Sequence, residues 1–171
     1  MQNKSAAAKV QANLQELFEG KLAPGDAYVK FRLTSTTALL SMKQVKESSI
    51  IETEQITLLP NMPEFAIGII SLRDRVFCLF DLALLLGLSS ELTNSRQHQI
   101  IVLQTIVEPS IYVGLAVTQL QGIVRISNQQ IQLADNSIDA KLMPYALGMV
   151  EQEKNTIPIL NLENILQALK A

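Results

Sequence analysis

The sequence predicts a mainly β chain folded as two small barrels side by side. Three observations lead there: the chain nearly repeats itself, its apolar runs are strand-length and bounded by turns, and its helical stripes are short. Phe65-Ala66-Ile67-Gly68 returns eighty positions later as Tyr145-Ala146-Leu147-Gly148. Leu79-Phe80-Asp81-Leu82 returns as Ile159-Leu160-Asn161-Leu162, again without a gap. Upstream, at a slightly different offset, Leu40, Val45, Ile51, Gln55 and Ile56 face Leu115, Leu120, Ile126, Gln130 and Ile131. The apolar scaffold recurs and the charges do not: Arg73 has Glu153 as its counterpart, and Glu47 has Gly122. Two copies of one unit with different surfaces point to two similar halves facing different partners.

Residues 1–27 form a helical extension in this reading. Val10, Leu14, Leu17 and Phe18 make one stripe at helical period. Gly20 and then Pro24-Gly25 stop it. Such a helix packs on its own domain or on a partner, and the sequence leaves both open. From Tyr28 the period becomes two, with Val29, Phe31 and Leu33 apolar. Leu39 to Val45 is expected as a second strand, and Ile50-Ile51 and Ile56 to Leu59 as further short apolar pieces. Pro60 and Pro63 frame a loop. Phe65 to Leu72 is a nearly continuous apolar run, as for a strand buried on both faces. Arg73-Asp74-Arg75 is a polar tip and Val76 to Phe80 runs back, which makes 67–80 a hairpin. Asp81 is placed to cap a short helix, accepting from backbone N–H groups ahead of it. Gly87 can take the left-handed exit conformation.

Residues 89–98 are a polar connection, and the plan then repeats. Strands are expected at Ile100 to Leu103, Ile111 to Leu115 with Val117, Ile123 to Ile126, and Ile131 to Leu133. Residues 134–141 are a polar loop. Tyr145 to Val150 and Thr156 to Leu160 form a second hairpin, and Asn161 caps a C-terminal helix. Short strands and tight turns favour small barrels or a sandwich over βαβ winding. A barrel also closes its own edges, which protects a strand-rich chain from aggregation.

Composition narrows the function. Charge is nearly balanced, with 14 basic and 16 acidic residues, so no field favours nucleic acid or an anionic membrane. Trp is absent and aromatics are 5 %, which argues against stacking platforms for bases. One cysteine, Cys78, and one histidine, His98, support neither an internal disulfide nor a multi-histidine metal site. The longest apolar stretch, Val76 to Leu88, is broken by Asp81 and falls short of the ~18 residues a spanning helix needs. A reduced, cytoplasmic protein without membrane insertion, cofactor or metal is the expectation.

Catalytic constellations are weak. Ser71, His98 and Asp81 or Asp74 form a triad only on paper: there is no nucleophile elbow, and His98 is expected in the polar connector. Cys78 lies in an apolar strand, where cysteine acts as a small buried hydrophobe. The glycines are scattered and form no phosphate-cradling loop. Glu52 with Glu54, and Glu151 with Glu153, are solvated turn charges rather than acid–base pairs. The chain offers surfaces, not a reaction centre.

With strands, proline loop and hairpins laid end to end, residues 28–169 resemble the CheW family of chemotaxis coupling proteins. The strongest stretch is Leu59-Pro60, then Pro63 to Arg73, then Val76 to Leu82 and Gly87. Val113-Gly114-Leu115-Ala116-Val117, Leu120 and Val124 are similar to the family's "Gly-hydrophobic-x-Val-Asp-x-Val" strand. Tyr145-Ala146-Leu147-Gly148 to Leu162 is similar to its closing hairpin. The resemblance implies two intertwined five-stranded SH3-like β-barrels over 28–171, with pseudo-repeated halves at roughly 28–88 and 99–171, and no catalysis. It also implies an adaptor that couples a methyl-accepting chemotaxis-type or photoreceptor-type sensor to a CheA-like histidine kinase, in rings or arrays beneath the membrane. The departures Asp74 (family Gly), Cys78 (family Pro) and Thr118 (family Asp) suggest a divergent member, from a phototaxis or pilus-motility system. Asp74 in particular suggests a different turn, because Asp tolerates positive φ only moderately. Two other readings stand beside this: a small-ligand or hydrolytic barrel sharing only the architecture, and a self-assembling kinase-regulatory domain without a receptor.

Candidate residues follow from the resemblance. Arg73 matches the family's hairpin arginine at the receptor groove, and Glu47 matches a glutamate that pairs with it, a pairing suited to a planar guanidinium. Val45 is expected near the groove between the barrels. Ile51, Ile56, Leu58 and Met62 are expected to form the kinase-binding patch.

Overall fold

The computed structural model describes residues 25–106 and 108–170; the expected N-terminal helix lies outside the described residues. The first half supplies β1 (Asp26–Leu33), β2 (Thr36–Ser41), β3 (Val45–Glu52), β4 (Ala66–Leu72), β5 (Arg75–Asp81) and a one-turn helix α1 (Leu82–Leu85). The second half supplies β6 (Gln97–Gln104), β7 (Tyr112–Val117), β8 (Gln119–Ile126), β9 (Ala146–Gln152), β10 (Asn155–Leu160) and α2 (Leu162–Lys170). Asp81 caps α1 as expected, accepting from Leu84 N at 3.3 Å, and Gly87 leaves it at φ 85°. Asn161 caps α2 through Oδ1, which accepts from Glu163 N at 3.0 Å.

The strands form two five-stranded sheets, β3-β6-β7-β5-β4 (sheet I) and β8-β1-β2-β10-β9 (sheet II). The halves of the sequence are therefore not the halves of the molecule: each sheet takes strands from both, which is the intertwining the resemblance implied. Replacing β1–β5 by β6–β10 and the reverse converts one strand order into the other. Each sheet has one parallel pair, β5 with β7 and β10 with β2. The smaller details repeat too. Gln55 Oε1 accepts from Glu52 N at 2.8 Å, and Gln130 Oε1 from Ser127 N at 2.9 Å, so the same capping turn follows β3 and β8. Beyond it Thr57 bridges to Ile69 on β4, and Gln132 to Met149 on β9. These bridges tie the two outer strands of each sheet together at one point. They also explain two glycines: a Cβ at Gly68 would stand 2.5 Å from Thr57 O, and one at Gly148 2.8 Å from Gln132 O.

The inner strands carry apolar residues on both faces because each face has its own core. On β6, Ile101 and Leu103 join the central cluster with Phe31, Leu40, Leu115 and Leu160, between the sheets. Ile100 and Val102 point the other way, into a sheet I cluster with Ile51, Ile70 and Leu79. Leu39, Ile126, Ile157 and Ile159 form the matching sheet II cluster. Each such side chain contributes roughly 1.5–3 kcal/mol on burial, and alternation along one strand feeds two cores at once.

Three expectations need correction. Leu39 to Val45 is not one strand: Ser41 ends β2, a 3-10 turn at Met42–Gln44 intervenes, and Val45 begins β3. Ile131 to Leu133 is not a strand but a single-bridge segment after a capping turn, and the short apolar piece Ile56 to Leu59 is built the same way. His98 is not in the connector. It lies on β6, 4 % exposed, on the same face as Ile100 and Val102; its polar neighbours Gln97 and Gln99 conceal the alternation.

Candidate functional site

The hairpin β4–β5 turns through two residues, Arg73 at φ 51° and Asp74 at φ 64°. Both are left-handed, the condition for the tight turn that matches strand twist. The second hairpin does the same with Glu153 at φ 49° and Lys154 at φ 67°, so the turn belongs to the repeated fold and Asp74 does not change it. What differs is the side chain it projects. Arg73 Nε donates to Glu47 Oε2 at 2.9 Å. Glu47 is drawn in at a β-bulge between Val45 and Glu47, and it lies across from Val102. Its side chain is 17 % exposed while that of Arg73 is 75 % exposed.

The ion pair thus joins β3, one outer strand of sheet I, to the hairpin tip at the other. With one partner in solvent it contributes little stability, on the order of 0–1 kcal/mol. Its effect is geometric: it fixes a five-donor guanidinium that still shows most of its surface to solvent. Glu47 Oε1 is buried with no hydrogen-bond partner among the described residues. Beside Arg73, the Arg75 guanidinium lies 4.4 Å above the Tyr112 ring, a cation–π contact that holds a second arginine at the same end of sheet I.

Val45 is half-buried, opposite Leu103, and packs against the central cluster. It stands where that core meets solvent near Glu47. The other candidate patch divides. Ile51 is 1 % exposed within the sheet I core, so its side chain has no surface to offer and it drops out of the patch. Its place in β3 alternation, with Ser49 and Glu47 on its face, is the cause. Ile56 packs half-buried against the same core, and Met62 is half-buried. Leu58 is 77 % exposed, on the far side of the Thr57 bridge, and Leu59 is 40 % exposed.

Among the exposed apolar residues that escaped sequence reading are Val76 at 70 % and Ile111 at 53 %. Both sat inside runs assigned to strands, where burial was the default. The repeat carries the missing signal, because their counterparts are Thr156 and Thr36.

Comparison with known proteins agrees with this fold. A family model described as "CheW-like domain" matches residues 27–170. The "Chemotaxis protein CheW" of Thermotoga maritima is 28 % identical over 120 residues, 70 % of this chain and 75 % of that protein. The crystal structure of the scaffolding protein TtCheW from Thermoanaerobacter tengcongensis superposes with a TM-score of 0.68 at 22 % identity, covering 81 % of this chain and 90 % of that one, a likeness of fold.

Proposed function

The chain belongs to the CheW-like domain family, and from that premise we propose that it is a non-catalytic scaffold coupling a chemoreceptor- or photoreceptor-type sensor to a CheA-like histidine kinase in the cytoplasm. The observation that carries the reading is the Arg73–Glu47 contact, in the hairpin whose motif is similar to the family's receptor-groove hairpin. An arginine oriented by a half-hidden carboxylate and open to solvent is prepared to meet a carboxylate or carbonyl of a partner at low ordering cost. Val45 extends that site with apolar surface. The kinase docks on the other part of sheet I, through Leu58 with Ile56 and Met62.

The test is pull-down of the cognate receptor's cytoplasmic hairpin and of the kinase. Arg73→Ala weakens capture of the receptor and spares the kinase; Ile56→Glu does the reverse. Receptor capture unchanged by Arg73→Ala, in protein with the wild-type circular dichroism spectrum, would remove the hairpin from the site.

A further inference from the structure

The hairpin end of sheet I is plugged, and the equivalent end of sheet II is open. In sheet I, Leu72 and Tyr112 pack on the sheet I cluster, Arg75 faces Leu72 across the hairpin, and its guanidinium lies over the Tyr112 ring. The equivalent residues in sheet II are Gln152, Thr37 and Asn155, and Gln152 faces Asn155 in the same register. A leucine, a tyrosine and the arginine stacked on it are thus replaced by two amides and a hydroxyl. All three replacements line a crevice of about 540 Å³, within the roughly 300–1,000 Å³ of small-molecule sites.

The crevice also has a wall that belongs to the second half alone. Between the bridge segment and the closing hairpin, the first half has six residues (59–64) and the second has eleven (134–144). The longer loop brings Ser137, Ile138 and Asp139 to the crevice. It is anchored at both levels: Leu142 is fully buried in the central cluster and Ile138 is 7 % exposed. Ser137 N donates to Asp135 Oδ1 at 2.7 Å, and Lys141 N to Asp139 Oδ1 at 2.9 Å. Smaller side chains beneath and an added wall beside them together make the cavity.

Its charges select the ligand. Lys30 and Lys154 line the crevice with Asp139 and Glu153, and none of the four joins an ion pair among the described residues. The charges cancel, so a lone anion or cation is repelled as much as it is attracted. Among the described residues no aromatic ring lines the crevice, so nucleobases and sugar rings find no stacking face. A ligand with a separated ammonium and carboxylate of its own satisfies both signs at once. We propose that this crevice binds a small zwitterion, a free α-amino acid or short peptide, with its ammonium on Asp139 and Glu153 and its carboxylate on Lys30 and Lys154. The amides of Gln152 and Asn155 and the Thr37 hydroxyl take its remaining hydrogen bonds. The site lies on sheet II, not at the Arg73–Glu47 contact of sheet I, and does not depend on the coupling reading.

The test transplants the plug of sheet I. Backbone amide NMR spectra of the full chain are recorded during titration with the free α-amino acids, one at a time, and with Gly-Gly. The same compounds with acetylated amines and amidated carboxyls, which lack both charges, serve as controls, as do inorganic phosphate and sucrose. Exposed charges bind weakly, so saturable shifts at Thr37, Ser137 and Asn155 are expected with a Kd on the order of 1 mM. The capped forms give none. Thr37→Tyr with Asn155→Arg fills the crevice and abolishes the response, while Asp139→Asn and Lys30→Gln each weaken it by about fivefold. Should the plugged variant fail to fold, the two single variants decide, and unchanged affinity in both overturns the proposal. So does an absence of saturable shifts with every zwitterion up to about 10 mM, an equal response to the capped forms, or binding retained by a folded plugged variant. A response to phosphate or sucrose alone overturns it too, by assigning the crevice to a different chemistry.

Discussion

Glu47 and Gly122 occupy equivalent places on β3 and β8, and only the first holds an arginine. Glu47 binds Arg73 at 2.9 Å; a Cβ on Gly122 would have nothing within 4 Å, and the tip residue equivalent to Arg73 is Glu153. The two sheets share their turns, bridges and strand order. They part company at this contact, which aims a charged side chain outward.

Removing the carboxylate should therefore affect binding more than folding. Glu47→Ala is expected to weaken receptor binding by roughly fivefold, about 1 kcal/mol, through loss of Arg73 orientation. Its thermal midpoint stays close to wild type, because the pair is mostly solvated on the arginine side. Titration calorimetry and a thermal melt on the same preparation check both halves. A large loss of stability with unchanged affinity would make the pair a structural tie.

Ile51 and Leu58 should behave as opposites. Ile51→Ala opens a hole in the sheet I core and costs about 2–5 kcal/mol. Leu58→Glu, at 77 % exposure, changes stability by no more than about 0.5 kcal/mol and lowers kinase affinity. Urea unfolding with a kinase pull-down separates them; kinase binding untouched by Leu58→Glu would move the kinase elsewhere.

The contrast shows what was legible. Both hairpins, the two capping residues Asp81 and Asn161, and the duplicated plan followed from apolar period and turn chemistry, which are local. Strand exchange between the sheets was not legible from periodicity, because β2 pairing with β10 is a contact across most of the chain. The buried state of Ile51 was missed because a β-strand shows two faces, and which is inward depends on the partner sheet. His98 was misplaced since one polar residue among glutamines gives no period. Glu47 with Arg73 was legible only through family resemblance: they are distant in sequence, and nothing in either neighbourhood names the other.

The close passes at the two bridges make a matched pair of tests. Gly68→Ala and Gly148→Ala put a methyl group 2.5 Å from Thr57 O and 2.8 Å from Gln132 O. Each is expected to destabilise by about 1–3 kcal/mol through overpacking against backbone. Equal losses in denaturant unfolding would fit equivalent closures of the two sheets; no loss in either would mean that the bridges yield easily.

His98 gives the chain a pH-dependent term. Burial holds its imidazole below the ordinary value of 6.5, against a smaller upward pull from Asp81, and Nδ1 has no partner among the described residues. In the unfolded chain the ring takes up a proton near pH 6.5, while in the folded chain it resists. Its contribution to stability is thus complete above about pH 6.5 and declines as the pH falls from there toward the folded value. Thermal midpoints between pH 7.5 and 5, measured for wild type and His98→Gln, should converge as the pH falls if the imidazole is responsible. Parallel curves would assign acid sensitivity to other groups.

One reconstitution tests the central claim, that this chain joins two partners that do not otherwise hold each other. The cognate receptor's cytoplasmic hairpin, anchored on beads, is incubated with the kinase at fixed concentration while the chain is titrated in. Kinase retained on the beads should rise with added chain, saturate, and fall to background with Arg73→Ala. Retention that is the same with and without the chain, or a chain that binds one partner and never both, would contradict the account.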